Sequence, residues 1–356
     1  KNDEDLVNKN AFHGIFRYKN LLGNGSYIGG LFANKTLGSN IYNTAAADFK
    51  HQLNGKNTLS GNTIYTITDE SNQSNASHNV DLEYMYSDKI YTIHLSTHDI
   101  SKDFSLPVGF FGRDGLSKIS GFVFKNYYPD KEFLKRFQLG LITNFKHDKY
   151  DNMNEYMVQA KHQYYLPGNT FLMNWFNFGN EVFCNQLFRN DETGYILNSQ
   201  FIKNIHFSLY QKIGYATWYD EDDPQQALKT FSSIELEYKP SSKFQSSFSF
   251  TRSFYKNADS QEDLMDYQIY RNRTTYQINK YLFLRSTVEY NGYEKQLLAD
   301  FLVSFTYIPG TVIHVGYGSM YDRTQWDSNQ RDYVDADRFL EMDRGLFMKA
   351  SYNWRL

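Results

Sequence analysis

The amino-acid sequence predicts an all-β protein in which each strand has one apolar face and one polar face. The chain has 356 residues, and 18% of them are aromatic, including 30 Tyr and 29 Phe. Its mean hydropathy is nevertheless negative, at -0.62, because polar and apolar residues alternate along most of its length. Successive side chains of a strand point to opposite faces, whereas the 3.6-residue period of a helix is hard to find in any long window.

The alternation predicts nineteen strands of about 9–13 residues, a length suited to crossing a bilayer. In segment 297–308, for example, Phe301, Val303 and Phe305 share one face and Ser304 lies on the other. In chain order the predicted strands are 9–20, 25–36, 42–53, 58–68, 76–86, 89–98, 117–127, 135–147, 153–164, 170–180, 193–203, 206–218, 229–239, 243–254, 265–277, 280–291, 297–308, 311–320 and 345–355.

The connections between these strands alternate between short and long. Tight turns such as "LPGN" and "KPSS" are followed by longer polar segments, of which the longest are 68–77, 99–116, 219–229, 255–264 and 321–344. All six prolines fall in connections, as expected because proline cannot donate a hydrogen bond to a sheet. Short turns at one end and long loops at the other are typical of an up-and-down transmembrane barrel with periplasmic turns and extracellular loops.

Size favours this barrel over a soluble β-sandwich, propeller or solenoid. In a closed soluble barrel the apolar faces point inward, but side chains cannot fill the lumen of a barrel with well over a dozen strands. A propeller should show a repeat of roughly 40–50 residues, and the sequence has none. The sequence therefore predicts a transmembrane antiparallel barrel of about 16–20 strands, whose apolar outer face contacts outer-membrane lipid.

Composition excludes several other classes. The net charge is -3 with dispersed basic residues, which argues against a nucleic-acid partner. The single cysteine, Cys184, permits no internal disulfide and no thiolate metal cluster. Residues 1–20 contain no signal-peptide core, so a targeting segment for export is expected outside this chain.

Several segments together resemble a Bacteroidota-type family of outer-membrane barrels of unknown function. They are "DISKDFSLPVGFFGRDGLSKISGFVFKNYYPD", "YRNRTTYQINKYLFLRSTVEYN", "LLADFLVSFTYIPGTVIHVGYGSMYD", "DRFLE" and "GLFMKASYNWRL". The resemblance covers most of residues 1–356, which are expected to form one barrel domain. Members often carry, before the barrel, a module similar to family 9 carbohydrate-binding modules. That module is absent here, so the resemblance implies the C-terminal part of a longer protein and a function related to glycans.

Charged residues on the predicted polar faces are the candidate lumen site. Such a set could select solutes by charge, or it could neutralise itself and fill the interior. The candidates are Arg271, Arg273, Arg285, Glu289, Glu235, Glu237 and Asp300.

The loop segment "GFFGRDG", residues 109–115, is a second candidate site. Its glycines provide the backbone freedom that an inward-folding plug or a partner-binding loop would need, although ordinary turns have the same composition. Because a long loop in a compact domain is usually functional or disordered, Arg113 and Asp114 are expected to pack against the barrel or a partner.

Two further clusters are weaker candidates for metal binding. His94 and His98 share the polar face of strand 89–98 but lie about 13 Å apart, so lumenal hydrogen bonds are expected instead. Asp220, Glu221, Asp222 and Asp223 could hold a hard cation, but they lack the spacing of a calcium loop and are expected to form a solvated loop.

No catalytic motif is present, neither a nucleophile elbow nor a Walker, dinucleotide or zinc-helix pattern. The sequence therefore predicts no cofactor, no metal and no enzyme. Three functions stay open: a barrel that binds or passes a solute, which the resemblance relates to glycans; a scaffold barrel that holds partner outer-membrane proteins in a complex; and a barrel enzyme whose residues are far apart in sequence.

The chain ends with an amphipathic strand that is expected to close the barrel against the first strand. Its apolar face includes Tyr352, Trp354 and Leu356. This ending resembles the C-terminal aromatic signal by which the barrel assembly machinery recognises outer-membrane barrels, with Leu in place of the usual final Phe. Nineteen strands with a periplasmic C-terminus conflict with the even strand numbers of bacterial single-chain barrels, so either a strand before Lys1 is missing from this sequence or one of the nineteen predicted strands is false.

Deleting residues 352–356 should abolish membrane insertion, because the assembly signal and part of the closing strand would be lost. Fractionation should then find the chain degraded or aggregated in the periplasm. A truncated protein that still migrates as a heat-resistant folded band would contradict both roles.

Overall fold

The structure, a computed structural model, describes residues 11–70, 73–106, 112–308, 310–327 and 331–353. Within these ranges the chain forms an antiparallel sheet of 20 strands. The strands are β1 (Ala11–Gly23), β2 (Ser26–Leu37), β3 (Asn40–Gln52), β4 (Asn57–Glu70), β5 (Gln73–Ser87), β6 (Tyr91–Ile100), β7 (Leu116–Tyr127), β8 (Arg136–Asp148), β9 (Met153–Leu166), β10 (Thr170–Phe183), β11 (Gln186–Arg189), β12 (Glu192–Ser199), β13 (Ile205–Trp218), β14 (Gln225–Tyr238), β15 (Phe244–Asn257), β16 (Asp263–Gln277), β17 (Leu282–Asn291), β18 (Gln296–Ile308), β19 (Thr311–Asp327) and β20 (Asp332–Ser351).

The sheet is an up-and-down meander, so the predicted fold class is confirmed. Each strand pairs with the next one, except that β11 is a four-residue strand at the end of β10 and β12 also pairs with β10. Nineteen long strands therefore form the wall, and β11 is the one that the alternation pattern missed. In the described part of the chain, no helix has the length and apolar composition needed to span a membrane.

The two faces of the wall differ as the alternation predicts. Phe301, Val303 and Phe305 are 51%, 43% and 40% exposed, whereas Ser304 between them is 1% exposed. Large apolar side chains are exposed on this outer face from strand to strand, with Leu82, Leu95, Leu141, Phe178, Phe248 and Val288 among them. Such a continuous apolar belt is stable only against lipid. The inner face of the wall is correspondingly polar.

Turn residues fix the hairpins where the chain reverses. Between β1 and β2, Asn24 and Gly25 have φ angles of 50° and 75°, the left-handed conformation of a two-residue hairpin turn whose twist matches that of the strands. The connection 101–115, between β6 and β7, is much longer. We call the end of the wall that carries it the long-loop end, and the opposite end the short-turn end.

Two of the other four predicted long loops are wrong, because the strands continue through them, and the loops predicted at 219–229 and 255–264 are shorter, at 219–224 and 258–262. Segment 68–77 belongs largely to β4 and β5, and segment 321–344 to β19 and β20, which reach 17 and 20 residues. Roughly 9–11 residues suffice to cross a bilayer, so these strands extend beyond the membrane at the long-loop end. There both faces meet water, and the alternation that marks a strand is lost although the backbone pairing continues.

The end of the chain also differs from the prediction. β20 ends at Ser351, and Tyr352, which follows it, is 69% exposed. Trp354 and Leu356 lie outside the described residues. Within the described residues β20 pairs with β19 and β1 pairs with β2, so the predicted closing pair between the first and last strands is not formed there.

Replacing Val303 with Arg should destabilise the folded barrel by about 2–4 kcal/mol, because the charge would enter lipid near the middle of its strand. Arg at Ser304 is not the harmless control that alternation alone suggests, since Ser304 is buried and has no room for a long side chain. The better control is Ser249→Arg, on the inner face between Glu235, which would attract the new charge, and Arg271, which would repel it.

Urea unfolding of the barrel in lipid vesicles measures both changes. A similar loss of unfolding free energy in the Val303→Arg and Ser249→Arg variants would contradict the assignment of the faces.

Candidate functional site

The seven predicted lumen charges all lie on the inner face, and six of them are in two adjacent rows across the wall. Directly opposed residues of neighbouring strands share a face. One row runs from Glu235 through Ser249 and Arg271 to Glu289. The next row contains Glu237, Ser247, Arg273, Thr287 and Asp300, and Arg285 lies beside it opposite Thr275.

The arginines of this sector are only partly neutralised. The Nε atom of Arg271 lies 3.6 Å from Oε2 of Glu289. Among the residues that the structure describes, Arg273 and Arg285 have no carboxylate within 4.0 Å. The part of β16 and β17 that carries Arg271, Arg273 and Arg285, which we call the arginine sector, therefore presents positive charge to the lumen. Its role in selecting solutes stays a prediction.

The described part of the connection between β6 and β7 folds into the lumen. We call its described residues, 101–106 and 112–115, the inner loop; positions 109–111 of the predicted loop site lie outside the described residues. Phe104 is 5% exposed, and Leu106 lines a cavity together with inner-face residues of β3 and β5. The inner loop thus lies against the inner surface of the wall.

Arg113 anchors the inner loop to two acidic residues of that wall. Its guanidinium donates to Oδ2 of Asp148 at 2.6 Å and to Oε1 of Glu155 at 3.0 Å. Glu155 is 3% exposed and also accepts from Lys146 at 2.7 Å. Burial alone would lower the pKa of Arg113, but the hydrogen bonds to both carboxylates raise it. Breaking this contact would leave Glu155 with one cation instead of two.

Tyr150, in the turn after β8, holds the inner loop from its other side. Its hydroxyl donates to Oδ2 of Asp114 at 2.6 Å and accepts from the backbone N–H of Asp103 at 2.8 Å. Burial, followed by the hydrogen bond to Asp114, raises the pKa of Tyr150 to about 12, so the phenol keeps its proton at neutral pH. A side chain at Gly115 would lie 2.3 Å from the Tyr150 ring, so only glycine fits there.

A third contact fixes the junction between β6 and the inner loop. The Lys149 ammonium donates to Asp99 at 2.8 Å and to the carbonyl of Ile100 at 2.7 Å. His78 binds the other oxygen of Asp99 at 2.9 Å. The sequence did not single out Asp99, Lys149, Asp148 or Glu155, because nothing local indicates that they meet the inner loop.

Beside Leu106 of the inner loop is a cavity of about 550 Å³ on the inner wall. Arg17, Asp48, Asp81 and Glu83 provide its charges, and Leu106 of the inner loop lines it as well. The Arg17 guanidinium binds both oxygens of Asp48, at 2.9 and 3.0 Å. Asp81 and Glu83 therefore give this cavity an acidic character, in contrast to the arginine sector.

The two histidines lie on the inner face, where His98 has polar partners and His94 packs on an aromatic ring. His98 is 2.9 Å from Oδ1 of Asn79 and 3.3 Å from Oδ1 of Asp81, while His94 stacks on Phe122 at 5.1 Å. In the acidic loop, Asp220 accepts from the backbone N–H of Asp222, as in an ordinary turn. Among the described residues, no group of three His, Cys, Asp or Glu side chains could hold a metal ion.

An inner-wall aromatic cluster also escaped the sequence analysis. Trp175 lies across Gly194, where an added side chain would be 2.4 Å from its ring. Its indole N–H donates to Glu192 at 3.1 Å, and its ring stacks on Tyr210 at 5.6 Å. Trp175 is 4% exposed, so the cluster stiffens the wall rather than offering a binding surface. Its sequence signal is weak: a glycine on the neighbouring long strand, directly opposite the tryptophan.

The fold is similar to that of outer-membrane receptor barrels. The crystal structure of the ferric enterobactin receptor PfeA in complex with BCV-L6 aligns with a TM-score of 0.51, at 8% identity, over 95% of this chain and 72% of that one. A mutant of the same receptor from Pseudomonas aeruginosa gives 0.53, at 8% identity, over 96% and 69%. The siderophore receptor PirA from Pseudomonas aeruginosa gives 0.52, at 8% identity, over 88% and 67%.

At such low identity the similarity shows the fold alone, which is that of an outer-membrane β-barrel. No protein-family model matches the chain, and no curated protein is similar to it in sequence. The resemblance to a Bacteroidota-type family therefore stays a prediction.

Replacing Arg113 with Ala should expose the inner loop to proteases. Losing hydrogen bonds to charged groups costs about 1.5–3 kcal/mol, which corresponds to roughly tenfold to hundredfold faster cutting if the loop opens and closes rapidly. Chymotrypsin digestion of intact outer membranes, followed by mass spectrometry of the fragments, measures cutting after Phe104.

The matched control is Arg252→Ala. Arg252 forms an ion pair with Asp266 at 2.8 Å on the outer face, and its side chain is 41% exposed, as is that of Arg113. Equal cutting rates in the two variants would show that Arg113 does not hold the loop.

Proposed function

We propose that this outer-membrane barrel passes a hydrophilic solute through its lumen and that the inner loop narrows the passage. The observation that supports it best is the anchoring of the inner loop by Arg113 to Asp148 and Glu155. Barrels of 16–18 strands leave a water-filled channel, and this wall has nineteen long strands. A loop held inside such a lumen by charged contacts restricts what can pass.

The distribution of charge indicates how a solute would be oriented. The cavity beyond the inner loop is acidic through Asp81 and Glu83, whereas Arg273 and Arg285 leave positive charge on β16 and β17. Opposite charges on different sectors of a pore wall create a field that aligns dipolar or zwitterionic solutes. We infer that the solute is polar and carries groups of both signs, or hydroxyl groups that tolerate both.

The similar solved structures support transport over catalysis, since their names are those of siderophore receptors. They do not indicate the solute, because the identity is 8%. A glycan fragment is the candidate that the family resemblance adds, and Ser60 and Asn62 provide hydroxyl and amide groups in the acidic cavity. An occluded scaffold within a larger complex is the competing function.

Single-channel recording in planar bilayers tests the proposal, with protein purified from outer membranes. The wild-type barrel should conduct weakly, and Arg113→Ala should conduct more strongly because the inner loop no longer narrows the lumen. Added oligosaccharides of graded length should block the current if they enter the passage.

Arg252→Ala should conduct like the wild type, since its ion pair lies on the outer face. A folded wild-type barrel and a folded Arg113→Ala variant that both fail to conduct would favour the scaffold.

A further inference from the structure

The first and last strands of the wall, β1 and β20, each have one unpaired edge. Among the described residues, β1 forms backbone pairs with β2 along Ala11–Gly23, and β20 forms them with β19 along Asp332–Ser351. The outer edge of each strand has no neighbour within the described chain. In the hydrocarbon core of a bilayer each unpaired backbone group costs several kcal/mol. The gap between β1 and β20, which we call the seam, must therefore be filled in the membrane.

Burial shows that the seam is open on the inner side as well. Ile15 and Leu21 of β1 point inward but are 68% and 75% exposed. In strands within the wall, apolar inner-face residues such as Ile64 and Leu298 are only partly exposed. The inner face of β1 therefore lacks the neighbour that the other strands have.

The directions of the two edge strands decide what can fill the seam. β1 leads into the turn at Asn24, at the short-turn end, so it runs from the long-loop end to the short-turn end. β20 starts after the β19–β20 hairpin at the long-loop end and runs the same way. A direct seam between β1 and β20 would thus join two parallel strands in a wall whose other pairs are antiparallel.

A second copy of the chain does not solve this problem. Two copies in one membrane have the same orientation, so β1 of one copy runs parallel to both β1 and β20 of the other. An antiparallel neighbour for both edges must run from the short-turn end to the long-loop end. Only an odd number of additional strands satisfies both edges.

We propose that one further strand, belonging to the same polypeptide and lying outside the described residues, separates β1 from β20. It runs antiparallel to both, with apolar residues toward lipid and polar residues toward the lumen. It brings the wall from nineteen to twenty long strands, the even number that single-chain bacterial barrels have. β1 and β20 are therefore second neighbours, about 10 Å apart, twice the spacing of adjacent strands.

Cysteine cross-linking tests the proposal, in the complete protein expressed in its native cell. The background is Cys184→Ser, since Cys184 is the sole cysteine and is exposed. Each double variant has one cysteine on the outer face of β1 and one on the outer face of β20. Because the register between the two strands is not known, three positions on each strand are combined. They are Phe12, Phe16 and Asn20 on β1 and Leu346, Met348 and Ala350 on β20. Copper phenanthroline should form no intramolecular disulfide in any pair, because a disulfide needs Cβ atoms about 3.5–4.5 Å apart.

A bifunctional thiol reagent with a span of about 10 Å, equal to two strand spacings, should cross-link at least one of these pairs. Two positive controls use residues that lie directly opposite each other, Phe16→Cys with Phe32→Cys and Val315→Cys with Met348→Cys, and both should form disulfides. A disulfide in any β1–β20 pair would show a direct parallel seam. Failure of the long reagent with every pair would show three or more strands, and either result would overturn the proposal.

Discussion

The need to pair every backbone N–H and C=O in lipid is the constraint on which this architecture depends. A sheet can cross the membrane only if each strand has two neighbours, so the meander of hairpins from β1 to β20 is both the fold and the means of insertion. The same constraint makes the seam between β1 and β20 important. Direct pairing of these two edges would be parallel, unlike every other pair in the wall, and the proposed strand of opposite direction keeps the whole wall antiparallel.

Because the backbone provides the pairing, the two faces of each strand are free to differ. Phe301 and Val303 take the outer face and meet lipid, while Ser304 between them faces inward. The inner face carries the charges of the arginine sector and of the acidic cavity. The inner loop adds an irregular element on this face, and Arg113 and Tyr150 hold it against the wall. Function is therefore expected on the inner face and in this loop.

The two-residue period of the sequence predicted most strands of the wall correctly and missed features that have no such period. Alternation identified the nineteen long strands and the faces of Phe301, Arg271 and Glu289 correctly, because each depends only on the two-residue period of a strand. It failed for segment 321–344, where strands outside the membrane have two polar faces and no alternation. It gave the inward direction of Ser304 correctly, but periodicity carries no information about the space around that side chain, which is 1% exposed.

The sequence by itself determined the class of fold, the strands and the direction of each side chain, since these follow from local periodicity. Only the tertiary structure decided which inner-face residues meet. Arg113 finds Asp148 and Glu155, 35 and 42 residues away, and Lys149 finds Asp99, 50 residues away. Such contacts depend on strand register and on the path of one loop, and neither of these produces a periodic pattern in the sequence. The unpaired edges likewise became visible only when every hydrogen-bonded neighbour was placed.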